Sequence, residues 1–531
     1  MIIQISKNEK NATPAVIAAL DALKAAGGGE IRFEKGEYHF FKDGTRKRFY
    51  AISNNTSCDK YMVFAIEDAG NITIDGGGSV FVFHDVVFPF MISESKNITI
   101  KNFIADTGRN PLIDLYFHDA DDDGVYIDID KNENPFFIKD GTLFFIRESE
   151  TISGEEEFFS LHEVGCHNVQ YLATGACRAN LENLPASVMK CTVSETETGV
   201  YARYVSDSPS KTKFNNKEVT IIADGKRKVD VICIDRSCGV TVENVTVARG
   251  IGMGVIAQLS RDITIDAFCT DISYHENARQ TLTADSLHFV NCGGFLEIKN
   301  CKISETMDDA VNVHGIYTSL ISADETTLTS RLMHRDQWYF CPYRAGDRLE
   351  IINSESFEIV AEFIVDEAHL AQMSATDLVI KGKFNYGRDR VKEGFWVENP
   401  DNMPRLYMHH NDFRHFPKSR ISGAGEMLVE KNTFCDCGGA LYVMDLARYW
   451  YESGRVKHLI FRDNTLSDCN AWGGDAFVHI GIDGVSGEDA PKIHKKIEIT
   501  GNRFLKVRKE AIKAECIEEL IVKDNIVENK P

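Results

Sequence analysis

A short repeating pattern constrains the fold of this chain more than any other feature of its sequence. Segments of the form apolar-polar-apolar recur, and an Asn or Asp follows each of them within a few positions. Clear examples are Ile98-Thr-Ile-Lys-Asn102, Val240-Thr-Val-Glu-Asn244, Leu296-Glu-Ile-Lys-Asn300 and Ile497-Glu-Ile-Thr-Gly-Asn502. The intervals from Asn411 to Asn432 and from Asn502 to Asn525 are 21 and 23 residues. A period in the low twenties, with one short strand and one polar turn per unit, is typical of a solenoid.

These repeats predict an all-β fold, a right-handed parallel β-helix, in which the Asn side chains of successive turns stack and hydrogen-bond. Leucine-rich repeats have a similar period, but the Leu-x-x-Leu-x-Leu frame that defines them is absent. Before the repeats, residues 13–26 predict an amphipathic helix with Thr13 as its N-cap, and the glycines at 27–29 end it. Such a helix would cover the first coil, whose backbone is otherwise unpaired at the open end.

Two long stretches lack the Asn-punctuated pattern and carry short alternating runs instead. Each is long enough to form a small β-barrel or sandwich, and structureless loops of that length are uncommon in compact proteins. We therefore divide the chain into five parts: an N-terminal part of the β-helix with its capping helix (1–112), an inserted β-barrel-like domain (113–228), coils that carry an acidic cluster (229–317), a second inserted β domain (318–400) and the C-terminal coils (401–531).

Composition and charge narrow the classes of function. Asp and Glu outnumber Lys and Arg by 80 to 59, which gives a formal net charge of −21. Such a surface repels phosphate backbones, which excludes a general nucleic-acid binder, and it disfavours a polyanionic substrate unless a local basic groove exists. Neutral sugars carry no such penalty.

The sequence also bears on location. No apolar run approaches the roughly 18–20 residues that span a bilayer, and the start of the chain lacks the basic and apolar regions of a secretory signal. The 14 cysteines are scattered, as is typical of reduced thiols. We therefore expect a cytoplasmic protein with no membrane partner; its oligomeric state stays open, with a homodimer as one option.

The candidate catalytic residues Asp285, Asp308 and Asp309 lie close together in the repeat region. Asp285 and Asp308 are 23 residues apart, close to the coil period, so the solenoid should stack them on adjacent coils at about 4.8 Å. Like charges at that distance raise at least one pKa, and acid–base chemistry is one reason to keep them together. Because consecutive residues of a regular strand point to opposite faces, Asp308 and Asp309 can share a groove only if the chain bends there.

Glycoside hydrolysis needs this set of groups. A protonated carboxylic acid assists the leaving oxygen while a carboxylate activates a water molecule. We predict Asp308 as the general acid, with Asp285 and Asp309 holding the water and their charge keeping Asp308 protonated. The same cluster could instead bind Ca²⁺ or form a solvated turn; we expect no metal and no cofactor.

Four further residues are predicted to bind the substrate. His288, Asn312 and His314 flank the aspartates, although histidines in such positions are as often structural. Trp338 lies in the second insertion, which begins just after the cluster, and an indole ring can stack against a sugar face.

These segments resemble a known family. Ala284-Asp285-Ser-Leu-His-Phe289, Met307-Asp308-Asp309-Ala-Val-Asn-Val-His-Gly315 and the distance between them are similar to glycoside hydrolase family 110. The resemblance implies a β-helical exo-α-galactosidase that removes terminal α-1,3-linked galactose, as in the blood group B determinant. It also implies β-barrel insertions, an inverting mechanism without a metal, and three catalytic aspartates that fall on Asp285, Asp308 and Asp309. The substrate would be an oligosaccharide or glycan.

Other functions remain open on the sequence alone. The chain could be another β-helix glycoside hydrolase of the polygalacturonase kind, although the basic Arg-Ile-Lys element that grips uronate in those enzymes is missing. It could also be a polysaccharide lyase or a glycan-binding β-helix without catalysis.

Overall fold

The structure is a computed structural model. It describes residues 1–531 except 8–9, 85, 109, 148–156, 161–169, 174–176, 182–191, 204–216, 223–227, 276–277, 472 and 531. The described chain is dominated by two long parallel sheets that share one interior, which is the parallel β-helix that the repeats predict.

The first sheet contains twenty described strands and bends once in each coil, where short second strands follow the turn residues. Its strands are Ile2–Ile5, Gly29–Phe33, Glu37–Phe40, Gly70–Phe83, Lys96–Thr107, Cys238–Val247, Arg261–Asp266, Cys269–Thr270, Gly293–Lys299, Lys302–Ser304, Arg405–His409, Asp412–Arg414, Glu426–Glu430, Thr433–Cys435, His458–Arg462, Thr465–Ser467, His494–Thr500, Arg503–Val507, Ile517–Lys523 and Ile526–Asn529.

The second sheet closes the other side of the column and carries the candidate site. Its described strands are Arg46–Tyr50, Cys58–Glu67, Val87–Ser93, Ile232–Asp235, Val255–Gln258, Leu287–Val290, Val311–Ile316, Arg420–Ile421, Leu441–Asp445, Glu452–Ser453, Ala476–Ile482 and Glu510–Ala514. Alternate side chains of each strand, such as Leu287 and Phe289, point into the core, so His288 between them points outwards.

The capping helix spans Thr13–Ala25 and packs Val16, Leu20 and Leu23 onto the first coil. The predicted N-cap was wrong. Thr13 is already helical, and the side chain of Asn11 accepts a hydrogen bond from the Thr13 N–H at 3.0 Å. No helix in the described part of the chain has the length and apolar character needed to cross a membrane.

The predicted Asn ladder is present in the C-terminal coils. The Nδ2 atoms of Asn411, Asn432, Asn464 and Asn502 each donate to the Oδ1 atom of the next Asn along the column, at 2.9–3.0 Å. Each Nδ2 also donates to a main-chain carbonyl, for example Asn464 to Val429 at 3.0 Å. Every turn thereby satisfies its buried amide, which explains why Asn marks the repeat.

Both insertions are β structures. The second is a closed barrel of the strands Thr318–Ala323, Thr327–Leu332, Arg348–Ile352, Ile359–Leu370, Asp377–Tyr386 and Trp396–Glu398. The first has a seven-stranded sheet and a three-stranded sheet, although much of the predicted domain 113–228 lies outside the described residues. Its strands are Leu112–His118, Gly124–Ile129, Phe136–Lys139, Thr142–Arg147, Glu157–Ser160, Gln170–Ala173, Cys177–Leu181, Thr192–Glu195, Gly199–Arg203 and Lys217–Ile222.

Candidate active site

Asp285 and Asp309 occupy equivalent positions in two successive turns that lead into the second sheet. Leu287 pairs with Val311 in parallel register, and the Ser286 N–H donates to the Asp309 carbonyl at 2.9 Å. This register of 24 residues places Asp285 opposite Asp309, one residue later than the predicted stacking on Asp308.

A bend in the chain brings Asp308 to the same side. The backbone bends at Met307 and Asp308, so the two consecutive aspartates do not point to opposite faces as they would on a strand. One carboxylate oxygen from each of the three aspartates lies within 4.8 Å of the others. The chain therefore bends where the sequence required it to, so that Asp308 and Asp309 can lie in one cluster.

The three carboxyl groups lie in different environments. Asp285 and Asp309 are 4% and 3% exposed, whereas Asp308 is only partly buried. Burial raises the pKa of Asp309 well above its ordinary range, the charges of Asp285 and Asp308 raise it further, and the positive charge of Arg420 opposes them. Since interacting carboxyls titrate as a group, the cluster retains a proton at a pH where an isolated Asp would have lost it.

Two cations that the sequence analysis did not select complete the site. Arg420 is partly buried, and its Nε lies 3.4 Å from Oδ2 of Asp309. Lys418 is partly buried beside the same group, and burial lowers its pKa. Arg420 pairs with Asn312 in the second sheet, so it is the next rung of the column.

His288 and His314 lie behind Asp285. Nδ1 of His288 is 2.6 Å from Oδ2 of Asp285, and its Nε2 is 2.9 Å from Nε2 of His314. His314 extends this series of hydrogen bonds through its other ring nitrogen, Nδ1, which is 2.7 Å from the Gly315 carbonyl oxygen. Both rings are 1% exposed. Their predicted contact with a sugar stays a prediction.

Asn312 lies in the same outward-facing row as His288 and Arg420. Its Nδ2 is 3.5 Å from Oδ2 of Asp285, while its buried Oδ1 makes no hydrogen bond to any residue that the structure describes. An amide oxygen in that position can accept a hydrogen bond from a sugar hydroxyl, which agrees with the prediction that Asn312 binds substrate without testing it.

One end of the site is closed by residues 50–56, here called the arm. Tyr50 and Ile52 pack over Met253, which occupies the position of Asp285 in the preceding turn. Asn54, 5% exposed, donates from Nδ2 to Oε1 of Glu452 at 3.1 Å. The outer face of the second sheet is therefore covered up to the aspartates.

Glu452 comes from a later loop and is buried beside the histidines. Its Oε1 is 3.5 Å from Nε2 of His314. Burial by itself raises the pKa of Glu452, but the interactions with His314 and Arg420 and the hydrogen bond from Asn54 outweigh burial and lower the pKa. Glu452 is thus an anionic neighbour of His314.

Trp338 lies at the edge of this region. It is 38% exposed, follows a single 3-10 turn at Arg335–Gln337, and accepts a hydrogen bond from Ser57 through its main-chain oxygen at 3.0 Å. Its ring is accessible to a ligand, and its predicted stacking role stays a prediction.

The same aspartates could be considered as cation ligands. A hard divalent cation such as Ca²⁺ takes six to eight oxygen ligands. Here Oδ2 of Asp285 faces His288, Oδ2 of Asp309 faces Arg420, and Lys418 adds positive charge. This arrangement favours acid–base chemistry over cation binding.

Comparison with known proteins also indicates a glycoside hydrolase. No protein-family model matches the chain. An alpha-1,3-galactosidase B of Phocaeicola vulgatus is 28% identical over 489 residues, which is 86% of this chain and 78% of the relative. An alpha-1,3-galactosidase A of Shewanella woodyi is 26% identical over 93% of this chain and 79% of its own length, and an alpha-1,3-galactosidase B of Bacteroides fragilis is 27% identical over 86% and 78%.

Solved structures are more distant. The Agl-KA catalytic domain aligns with a TM-score of 0.44 at 8% identity, over 96% of this chain and 55% of that domain. An exopolygalacturonase from Thermotoga maritima aligns with a TM-score of 0.39 at 11% identity, over 98% and 91%. The fold assignment rests on the sheet topology of the chain itself. Over most of its length the chain is therefore similar to alpha-1,3-galactosidases, which supports its resemblance to glycoside hydrolase family 110.

Proposed function

We propose that this protein is an exo-α-1,3-galactosidase that hydrolyses terminal α-1,3-linked galactose from oligosaccharides. The observation that carries the proposal is the group of three carboxyls whose oxygens lie within 4.8 Å of one another. The relatives that share most of the chain's length are named alpha-1,3-galactosidases, which supplies the sugar and the linkage.

In the proposed reaction, Asp308 is the general acid because it is the most accessible of the three. Its proton passes to the leaving glycosidic oxygen as the bond from that oxygen to C1 breaks. Asp285 and Asp309, on adjacent rungs, hold a water molecule. The water oxygen bonds to C1, and a carboxylate of the pair takes the water proton. Preferential stabilisation of the charged transition state by such groups accounts for the rate.

Exo action follows from the arm. A terminal sugar can enter a groove that is blocked on one side, whereas an internal residue of a chain would need an open groove on both sides. Tyr50 and Ile52 pack in one cluster with Met253, one turn before Asp285, and Asn54 donates to Glu452, so we propose that these residues block a further sugar.

The stereochemistry is the finer part of the proposal. We propose inversion, since two adjacent carboxylates can share one water. The carboxyl oxygens are nevertheless closer than the roughly 6.5–9.5 Å typical of inverting pairs, and nearer the about 5–5.5 Å typical of retaining ones. Only the anomer formed first separates these mechanisms.

Proton NMR of a linear α-1,3-galactobioside during hydrolysis tests the proposal in one experiment. We expect free galactose, formed first as the β-anomer, and no hydrolysis of aryl β-galactosides or aryl α-glucosides. Initial formation of the α-anomer would replace inversion by retention, and stable galactobioside would contradict the activity.

A second candidate is supported by Lys418 and Arg420, which supply the basic groups that a uronate-hydrolysing enzyme needs. Asp309 and Glu452 offset these charges, so we place it second. Oligogalacturonides belong in the same assay: their hydrolysis, with galactosides untouched, would favour the polygalacturonase kind, and an unsaturated ultraviolet-absorbing product would favour a lyase.

A further inference from the structure

The hydrogen-bonded chain behind Asp285 fixes the position of its protons. A carbonyl oxygen can only accept, so Nδ1 of His314, 2.7 Å from the Gly315 carbonyl, must carry a hydrogen. Complete burial lowers the pKa of His314 to about 4, so near neutral pH the ring is neutral and its Nε2 is bare.

The tautomer of His314 determines that of His288. Because Nε2 of His314 is a bare acceptor, the Nε2 of His288 at 2.9 Å must be the donor. The other ring nitrogen, Nδ1, faces Oδ2 of Asp285 at 2.6 Å, and a bond between these two atoms needs one proton. That proton lies on the imidazole or on the carboxyl, and in either state the pair of His288 and Asp285 is neutral overall.

We propose that His288 is a positioning residue for Asp285: through Nδ1 it orients the carboxyl towards the attacking water and shares with it the proton that sets its ionisation. His288 then acts through Asp285 and does not contact the sugar. This inference rests on the proposed hydrolase function for its kinetic consequences, but not for the proton arrangement itself.

The hydrogen-bonded chain of Asp285, His288 and His314, here called the relay, explains how three carboxyls coexist in one site. The proton shared with His288 neutralises the pair that contains Asp285, and Arg420 faces Asp309. When the imidazole holds the proton, Asp285 is a carboxylate and can accept the proton released by the water. Glu452, 3.5 Å from His314, adds a negative charge beside these rings and favours the shared proton on His288 over Asp285.

The first test uses NMR to locate the protons on the rings of His288 and His314, and it does not require that the protein be active. In the full-length protein labelled with ¹⁵N-histidine, the ring signals of His288 and His314 are assigned by their loss in His288→Asn and His314→Asn. We expect His314 as the neutral tautomer with hydrogen on Nδ1, and a His288 signal that shifts in Asp285→Asn. Hydrogen on Nε2 of His314, or a His288 signal indifferent to Asp285→Asn, would overturn the proposal.

The second test compares two amides that replace different ends of the ring. The Asn amide can reach the position of Nδ1 and keep the bond to Asp285, whereas the Gln amide can reach Nε2 and keep only the bond to His314. We expect kcat to fall about 10-fold in His288→Asn and about 100- to 1000-fold in His288→Gln, with KM within about 3-fold of wild type in both.

His494 provides a matched control. It is a fully buried histidine of a later coil, 3.2 Å from the Gly481 carbonyl, and burial lowers its pKa to about 4 as well. His494→Asn should lower stability without changing kcat. A rise in KM alone in His288→Gln would place the ring on the substrate and overturn the positioning role. If the wild-type protein hydrolyses no sugar, the proposed function fails, while the NMR result still determines whether His288 and His314 carry their protons as proposed.

Discussion

Asp308 and Asp309 are adjacent in sequence, but Asp308 is partly buried and Asp309 is buried. Replacing each in turn should show which of them is the general acid and which holds the water. We predict that Asp308→Asn and Asp309→Asn each lower kcat by at least about 1000-fold. An aryl α-galactoside whose leaving group needs no protonation should restore much of the loss in Asp308→Asn and little in Asp309→Asn. Steady-state kinetics with natural and activated substrates measure this.

The control for that comparison is Asp235→Asn. Asp235 is also buried in the second sheet, where it accepts a hydrogen bond from Gln258 at 2.8 Å, but it lies two rungs before the site. We expect near-normal kcat. Equal losses in all three variants would mean that the substitutions act on folding and not on chemistry.

The sequence predicted the aspartates but not the cations, and the reason is the second insertion. Asp285 and Asp309 are one turn apart, so the repeat places them together. The partner of Asn312 on the next rung is Arg420, more than a hundred residues later, because the barrel lies between the two rungs. Asn54 and Glu452 are 398 residues apart and meet only through loops. No periodicity could reveal these contacts.

Among the structural elements, the Asn ladder is the one that sequence reveals best, because each coil repeats the same hydrogen bonds. Asn464 in the middle of the ladder donates to Val429 and Asn502, and accepts from the N–H and side chain of Asn432. We predict that Asn464→Ala lowers the free energy of unfolding by about 3 kcal/mol, since it leaves several buried groups unsatisfied at about 1–3 kcal/mol each.

Urea unfolding followed by circular dichroism measures this loss, and Asn525→Ala is the control. Asn525 belongs to the last rung of the same ladder and is only partly buried, so its loss should cost about 1 kcal/mol or less. Equal costs at the two positions would show that the ladder adds nothing beyond local turn propensity.

The loop that carries Glu452 is held by Asp445, a buried acid whose pKa is raised. Oδ2 of Asp445 accepts hydrogen bonds from the Tyr317 hydroxyl at 2.8 Å and the Gly454 N–H at 3.0 Å. Burial, opposed by the bond from Tyr317, raises the pKa of Asp445 to about 7. A folded-state pKa above the unfolded value of about 3.9 means that the native state binds the extra proton between these limits.

The stability contributed by that proton is complete below pH 4 and is lost as the pH rises through about 7. We predict that Asp445→Asn, which keeps a neutral acceptor in place, becomes more stable relative to wild type as the pH rises from 5 to 8. The slope is at most about 1.4 kcal/mol per pH unit. Thermal unfolding at several pH values measures the difference.

Asp468→Asn serves as the control for this pH series. Hydrogen bonds and charge from Arg508 and Lys530 lower the pKa of Asp468, so its contribution is lost only as the pH falls below the usual carboxyl range. Its difference from wild type should be constant between pH 5 and 8. A constant difference for Asp445→Asn as well would contradict a raised pKa at Asp445.

At the scale of the whole molecule, the aspartates lie on a column of stacked coils, next to the arm and just before the inserted barrel in the chain. The sequence predicted the column from its period and the insertions from the loss of that period. It could not predict that the arm folds back over Met253 and Ile256, since nothing in residues 50–56 repeats or alternates. The proposed origin of exo action is therefore a tertiary contact, whereas the sequence indicated exo action only through the family resemblance.

The arm makes a sharp prediction about substrates. An oligosaccharide that ends in α-1,3-linked galactose should lose that single sugar, whereas the same oligosaccharide with one further sugar on the terminal galactose should not be cleaved, because the added sugar would collide with Tyr50, Ile52 and Asn54. Mass spectrometry of the products of this matched pair measures the outcome. Release of a disaccharide from the extended substrate would mean that the groove is open past the arm, and an endo-acting hydrolase would then explain the three aspartates better than an exo-acting one.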